Sequence, residues 1–563
     1  MNSKIYTKNY ITMKRLTILF YILFLISTVY AGNNSDNKPL VIFHLDLNSV
    51  SLRQDYIREW LEKAADMGYN AVLWEVEDEV IWETCPECVS PDAFTKEDFR
   101  KLLEYSKELG LEPIPLFQTI GHAEYVLDNI KYKSFREDST RYDCYCTTNI
   151  ELRNFLKKWL DEYLELFGDI RYFHLGGDEA YSFASCAKCK ARAESIGENQ
   201  LYAEHINDLS QSLIEKGIRP GIWCDMILKH PKEINVIDKN FVIWDWNYWD
   251  GDSTPENVLV WSEGKKIGIN NISESILSDF PEIIDDKGNL KAFYTSDMLR
   301  RLGYDVILCS SSRSHGDGVF IGRNDLHADN IIGAARKVAD NNLLGNCVTS
   351  WAVRVHNYET QELWLILAPL TIKYPSLKKN DLLLKASEKM LGISSLEFFE
   401  AINQIGYSFP FANEKSTGIM WTGMKDSKPA PKNYIKEMID KWKKNNSGKQ
   451  WDFVTKRVMN STDTIVSGIT TIHTLIPKTI LGTKLLNNIS RAGYFQYWQS
   501  IIANSIIHKT EGKNRIQDSE IIAIIRSLKR EYTLWAEEWM THKSAEINSS
   551  LIYDAIENYF KSN

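Results

Sequence analysis

The sequence has no surplus of positive charge. Lys and Arg number 66 against 75 Asp and Glu, a net charge of −9. With no basic excess to neutralise phosphates, a nucleic-acid partner is not expected. Long apolar runs are also scarce. The one candidate, LTILFYILFLISTVYA over residues 16–31, is about the length of a signal peptide's apolar core and short for a membrane span. Lys14 and Arg15 precede it, and Val29 and Ala31 place small residues before a cleavage point after Ala31. Residues 1–31 are expected to be a signal peptide, with Met13 an alternative start. The mature chain is expected to be exported, periplasmic or secreted, with no stable membrane span; a membrane-anchoring helix is the competing reading. No cysteine follows the cleavage point, which argues against a bacterial-type lipid anchor.

What is present is a globular composition, 44% hydrophobic and 25% charged, in a chain too long for one ordinary core. Apolar runs such as PLVIFHLDLN (39–48), AVLWEVED (71–78), IRYFHLGG (170–177), NFVIWDWN (240–247) and NCVTSWAV (346–353) alternate with amphipathic stretches such as TKEDFRKLLEYSKELG. Several of the latter end in glycine: Gly68, Gly110, Gly168, Gly217, Gly303 and Gly345, the expected left-handed helix stop. Continuous apolar strands between helices predict a parallel sheet covered on both faces. Eight such units predict an α/β fold, a (β/α)8 TIM barrel over residues 38–375, with an open doubly wound sheet as the alternative. Residues 250–288 interrupt the rhythm and are expected to lie over the barrel mouth. From 376 to 563 the strand pattern vanishes, and NDLLLKASEKMLG and DSEIIAIIRSLKREYTLWAEEWMTHK predict a helical C-terminal domain.

A barrel of this kind carries its site at the C-terminal ends of the strands. There FHLGGDEAYSF (173–183) sets Asp178 beside Glu179. Two carboxylates facing one pocket split their proton affinities, which keeps one acid protonated beside one ionised partner. Gly176 and Gly177 are expected to leave room for a ligand to approach the backbone. The competing chemistry is metal ligation by Asp46, Glu75 and Asp78 with Asp178 and Glu179. Seventeen tryptophans suit sugar rings, though most are expected in ordinary core packing.

HLGGDEAY resembles the signature of glycoside hydrolase family 20, the β-N-acetylhexosaminidases, and is most similar to its hexosaminidase D-like branch. GYNAVLWEVED (68–78), IPLFQTIGHAEYVL (114–127), WCDM (223–226), WDW (244–246) and TSWAVR (349–354) agree, in order, on successive strand ends. The resemblance implies an exo-acting, retaining enzyme that releases terminal β-linked N-acetylhexosamine from a glycan or glycoconjugate, with no cofactor for catalysis. It implies that Glu179 protonates the glycosidic oxygen and that Asp178 holds the N–H of the substrate's own 2-acetamido group, the nucleophile. It implies a supporting role for His122; Asp46, Glu75, Asp78 and Asp225 are candidates for holding sugar hydroxyls or for hydrogen-bonding His122, and Arg354 is a further candidate sugar contact. Trp223, Trp244 and Trp351 are candidate walls of the acetamido pocket, with core packing as the alternative. Where the family commonly uses a tyrosine this chain has Trp246, which donates only through its indole N–H; Tyr248 is the nearby substitute. The family's usual α+β domain before the barrel has no room here, and strand one ends without an arginine. Two other functions stay open: a sugar-binding barrel without turnover, and a metal-dependent hydrolase using the acidic cluster.

Nine cysteines occur, six of them paired as Cys85/Cys88, Cys144/Cys146 and Cys186/Cys189 in the loops after strands two, three and four. Cys85, Cys88, Cys186 and Cys189 offer two C-x2-C pairs, suited to a structural zinc ion. Disulfides, in an exported chain, and free thiols are the alternatives. Cys224, Cys309 and Cys347 fall in apolar strands and are expected in the core.

Overall fold

The computed structural model describes residues 38–48, 50–314, 317–341, 343–351, 357–406, 424–425, 428–429, 433–513 and 516–561. The expected signal peptide and Arg354 lie outside them. Six strands come first: β1 (Leu40–Asp46), β2 (Ala71–Glu75), β3 (Glu112–Leu116), β4 (Tyr172–His174), β5 (Arg219–Trp223) and β6 (Val242–Trp246). A hairpin, β7 (Asn257–Val260) and β8 (Lys265–Gly268), follows, and β9 (Asp305–Arg313) and β10 (Gly345–Ser350) complete the set. All but the hairpin form one closed parallel barrel in the order β1-β10-β9-β6-β5-β4-β3-β2. The open-sheet alternative is thereby excluded.

The barrel closes because each strand offers apolar side chains to both sides. On β1, Ile42 belongs to the interior cluster while Val41 and Phe43 join the layer beneath the helices. Trp60 in the helix Gln54–Met67 meets Phe43 at 6.3 Å between ring centroids. That helix ends as its sequence predicts: Gly68 takes φ 113°, and its N–H reaches back to the Ala64 and Ala65 carbonyls. Gly345 behaves differently. It does not stop a helix but begins β10, where a Cβ would lie 2.5 Å from the Leu40 carbonyl oxygen. Its glycine is required by the close approach of β1 at the barrel seam.

Among the described residues after 376, seven helices run from Lys379–Leu391 to His542–Lys561. They pack on the barrel's loops, and residues 40–563 form one compact unit. Phe495 stacks between Phe320, in the loop after β9, and Trp535, at 5.3 and 5.2 Å. Behind β1 the Thr541 N–H donates to the Ser51 carbonyl at 2.9 Å. No helix among the described residues is long and apolar enough to cross a membrane.

Candidate active site

Side chains alternate along a strand, so the inward row of each barrel strand runs on to its C-terminal end. Ile42 is followed inward by His44 and Asp46, Leu73 by Glu75, and Leu116 by Gln118. The contacts follow this order. His44 Nδ1 accepts from the Ser350 N–H at 3.1 Å, leaving its Nε2–H to donate to Glu75 at 3.1 Å. Gln118 Nε2 donates to the other Glu75 oxygen at 3.0 Å. Both Glu75 oxygens are therefore engaged by protein donors, which leaves this carboxylate poorly suited to a metal. Among the described residues the acidic cluster of Asp46, Glu75, Asp78, Asp178 and Glu179 does not gather into a ligand set.

Asp178 and Glu179 follow β4 in a turn held at close quarters. Gly176 and Gly177 have φ of 64° and 87°, and their missing side chains do not make room for a ligand. A Cβ at Gly176 would meet Gln118 Oε1 at 2.1 Å, and one at Gly177 would meet the Tyr202 hydroxyl at 2.4 Å. The glycines let the protein pack on itself, which corrects the expectation drawn from sequence. The Glu179 N–H donates to Asp225 Oδ2 at 3.0 Å, and Trp246 Nε1 donates to Asp225 Oδ1 at 3.3 Å. His122 Nε2 stands 3.4 Å from Asp178 Oδ2 and 3.5 Å from Glu179 Oε2. The two carboxylates differ in exposure: the side chain of Asp178 is 10% accessible and that of Glu179 is 38%. Asp178 Oδ1 is buried with no protein hydrogen-bond partner.

Backbone strain marks the same place. Non-glycine residues rarely adopt positive φ, and those that do cluster at functional sites. Glu77, His122 and Glu179, after β2, β3 and β4, have φ of 42°, 52° and 41°. Each lies on the rim where the inward rows converge. Electrostatics is concentrated there too. Burial, opposed by His122, pushes the Asp178 carboxyl above its ordinary value. Burial lowers His122, but the Asp178 and Glu179 carboxylates outweigh it and hold the imidazole well above its usual value. Burial and the Asp178 charge push Asp225 up to about 7. Burial with Glu75, Asp78 and Asp46 pushes Glu77 well above the carboxylate range.

The aromatic candidates divide. Trp223 and Trp244 are 0% and 1% exposed and belong to the barrel's interior, where they pack tilted and edge-on against His174 with ring centroids 4.3 and 4.8 Å away. They form the floor beneath the mouth rather than its wall. Trp351 and Trp246 reach the rim. Trp351 Nε1 donates to the Tyr248 hydroxyl at 2.8 Å, and Tyr248 stacks on Trp246 at 5.2 Å. The hairpin inserted after β6 adds Trp261 against Trp246 at 4.9 Å, as expected of a segment over the mouth. Asp46 accepts from the Asn48 N–H at 2.9 Å; Asp78 lies in the rim loop one residue beyond Glu77. The sequence places His44, Gln118 and Glu77 among the polar residues at the strand ends but assigns them no role, although all end inward rows. Sequence reasoning passed over Tyr181, 66% exposed two residues after Glu179.

The cysteines group differently from the expected set. Cys85 and Cys88 are joined to each other by a disulfide, their Cα atoms 5.5 Å apart across one short turn. The Glu83 and Thr84 N–H groups hold this loop to Glu162 of the helix Ile150–Phe167. Cys186 and Cys189 meet Cys146 and Glu137 instead. Cys224, Cys309 and Cys347 are buried, as expected.

Comparison with known proteins gives four matches. The family model for the catalytic domain of glycosyl hydrolase family 20 matches residues 62–266. The chain is 27% identical over 224 residues to lacto-N-biosidase of Bifidobacterium bifidum, covering 38% of this chain but only 19% of that protein. It is 23% identical over 395 residues to hexosaminidase D of Homo sapiens, covering 66% of this chain and 73% of that one. Among solved structures, a β-N-acetylhexosaminidase from Bacteroides fragilis aligns at 16% identity with a TM-score of 0.43, over 59% of this chain and 66% of that one.

Proposed function

We propose, on the match of residues 62–266 to the glycosyl hydrolase family 20 catalytic-domain model, that the barrel is a retaining, exo-acting β-N-acetylhexosaminidase. The observation that carries this is the Asp178–Glu179 turn: a buried and an open carboxylate, both within 3.5 Å of one imidazole. Glu179, the exposed member, gives its proton to the glycosidic oxygen as the bond to C1 breaks. The carbonyl oxygen of the substrate's 2-acetamido group attacks C1 from the other side, forming an oxazolinium ion. Asp178 faces that cation and accepts its N–H; the buried Oδ1 without a protein donor suits this role. Water then attacks C1, Glu179 takes its proton, and the acetamide re-forms. Two inversions at C1 give net retention, with no enzyme carboxylate bonded to sugar. His122 fixes the two carboxylates, and Asp225 fixes the Glu179 backbone and the Trp246 indole. Tyr248 and Trp351 stand beside that indole, at the place where the acetamido group would be enclosed.

The test compares nitrophenyl β-glycosides of GlcNAc, GalNAc and glucose, with the anomer of the first product read by NMR. Only the acetamido sugars should turn over, with retention. Glu179→Gln should lower kcat by about 10²–10⁴-fold on poor leaving groups and less on nitrophenol. Asp178→Asn should lower kcat more than it raises KM, because the charge it faces develops only toward the transition state. Efficient cleavage of the glucoside would defeat the substrate-assisted assignment. Absence of turnover on every glycoside, with sugar still bound, would favour a binding barrel. Export is proposed on residues 14–31; amino-terminal sequencing of the mature chain should begin at Gly32, and a chain retaining residues 1–31 counts against it.

A further inference from the structure

Three sulfurs and one carboxylate converge beside the active-site loops. One oxygen of Glu137 and the Sγ atoms of Cys146, Cys186 and Cys189 all lie within 4.8 Å of one another. Cys146 Sγ is 3.7 Å from both Cys186 Sγ and Cys189 Sγ. That is far beyond a disulfide bond of about 2.05 Å. It matches a tetrahedron's edge: four ligands around zinc with Zn–S bonds of about 2.3 Å place their sulfurs about 3.8 Å apart. We propose that Glu137, Cys146, Cys186 and Cys189 bind a structural zinc ion that staples the loop carrying His122 to the loop carrying Glu179.

The surroundings support a metal rather than a chance cluster. Glu137 is 3% exposed. Its Oε1 accepts from the Cys186 N–H at 3.0 Å, while its Oε2 is buried with no hydrogen-bond partner. A buried carboxylate oxygen without a donor is costly, and a cation among the sulfurs removes that cost. The sulfurs have their own second contacts. The Cys189 N–H donates to Cys186 Sγ at 3.3 Å, and Thr148 Oγ1 lies 3.2 Å from Cys189 Sγ. Such donors orient thiolate ligands and disperse their charge. Cys186 is the N-cap of the helix Ala187–Ile196, so the positive end of that helix faces the thiolates. Three thiolates and a carboxylate fill the four positions of a closed, non-catalytic zinc site. Its ligands come from the segment that follows His122 and from the one that follows Glu179. The same two segments are already tied where the Ser182 N–H and hydroxyl donate to Asp143, at 3.1 and 2.9 Å.

The test is metal analysis of the purified full chain, independent of any activity. About one zinc per chain is expected, lost to a strong chelator and restored by zinc. Reloading with cobalt(II) should give intense thiolate-to-cobalt charge-transfer absorption and tetrahedral ligand-field bands. Cys146→Ser and Cys189→Ser should each lose the metal, while Cys144→Ser, whose thiol bonds to the Tyr145 carbonyl instead, should keep it. Should the serine variants fail to fold, Glu137→Cys serves: it completes a four-thiolate set and should bind zinc at least as tightly. A metal-free chain with all three thiols alkylatable, a disulfide among them, or zinc unchanged in Cys146→Ser or Cys189→Ser would each overturn the assignment.

Discussion

Replacing Gly121 by alanine tests how closely the site depends on one missing methyl group. A Cβ at Gly121 would stand 1.9 Å from the Asp178 carbonyl oxygen and 3.2 Å from the Ala180 nitrogen. Heavy atoms normally meet at about 3.5 Å, so roughly 1.6 Å must be found. Every atom in the way is backbone, so no side chain can rotate aside. Either the Gly121–His122 segment retreats or the Asp178–Ala180 turn does. In both cases His122 leaves the two carboxylates it now touches at 3.4 and 3.5 Å. A displacement of about 1 Å at reacting groups costs about 10²-fold in rate, and overpacking costs about 1–3 kcal/mol of stability. Gly121→Ala should therefore lose about 10²-fold in kcat on an aryl N-acetylglucosaminide while remaining folded by thermal melt. Gly110→Ala is the control: its φ of 76° is strained for alanine, but nothing lies within 4 Å of its Cβ. It should cost about 1 kcal/mol of stability and leave kcat alone. Wild-type kcat in Gly121→Ala would refute the reasoning, as would a loss explained wholly by unfolding.

Two further perturbations follow from the same geometry. Unfolded Asp225 gives up its proton near pH 4, whereas in the fold burial holds that proton to about pH 7. The folded state binds more protons across that window, so the contribution of Asp225 to stability falls as pH rises from about 4 to 7. Asp225→Asn should flatten the decline in melting temperature over that range; an unchanged profile would show that Asp225 is not the group responsible. Phe495→Ala empties a site 4% exposed between Phe320 and Trp535. It should cost about 3–5 kcal/mol, read as a lower denaturant midpoint for barrel and helices together; a shift under about 1 kcal/mol would mean this face contributes little.

The strands were legible because each is an apolar run bounded by turn residues, and the Asp178–Glu179 pair because it stands at the end of one. Glycines were legible only where a helix stops. At Gly68 the helix end itself requires positive φ, but at Gly121, Gly176 and Gly345 the requirement comes from a segment distant in sequence. The tryptophans mislead for a related reason: Trp223, Trp244 and Trp246 all end inward rows, and only the depth of each along the lumen separates floor from rim. The cysteines show the limit of spacing rules. Cys85-x2-Cys88 and Cys186-x2-Cys189 are identical in pattern, yet one closes on itself and the other awaits Cys146. Glu137, alone in a charged loop, carries no local signal; only the folding of that loop against Cys186 buries it.

The seam of the barrel bears on the order in which the molecule can be built. Strand β1 pairs with β10 from Leu40↔Gly345 to Phe43↔Val348, strands roughly 300 residues apart, a loop whose closure costs about 5 kcal/mol of chain entropy. Until β10 has been synthesised, β1 has a neighbour on one side only, and the strands from β1 through β6 to β9 form an open sheet whose unpaired edges are β1 and β9, an invitation to wrong pairing. The residue that closes this gap also serves the site: His44 receives Ser350 on one ring nitrogen and holds Glu75 with the other. Ring closure and completion of the inner polar network are thus one event, late in the chain's folding. A chain that stops short of β10 lacks the Ser350 hydrogen bond to His44 and so displays only an incomplete inner network.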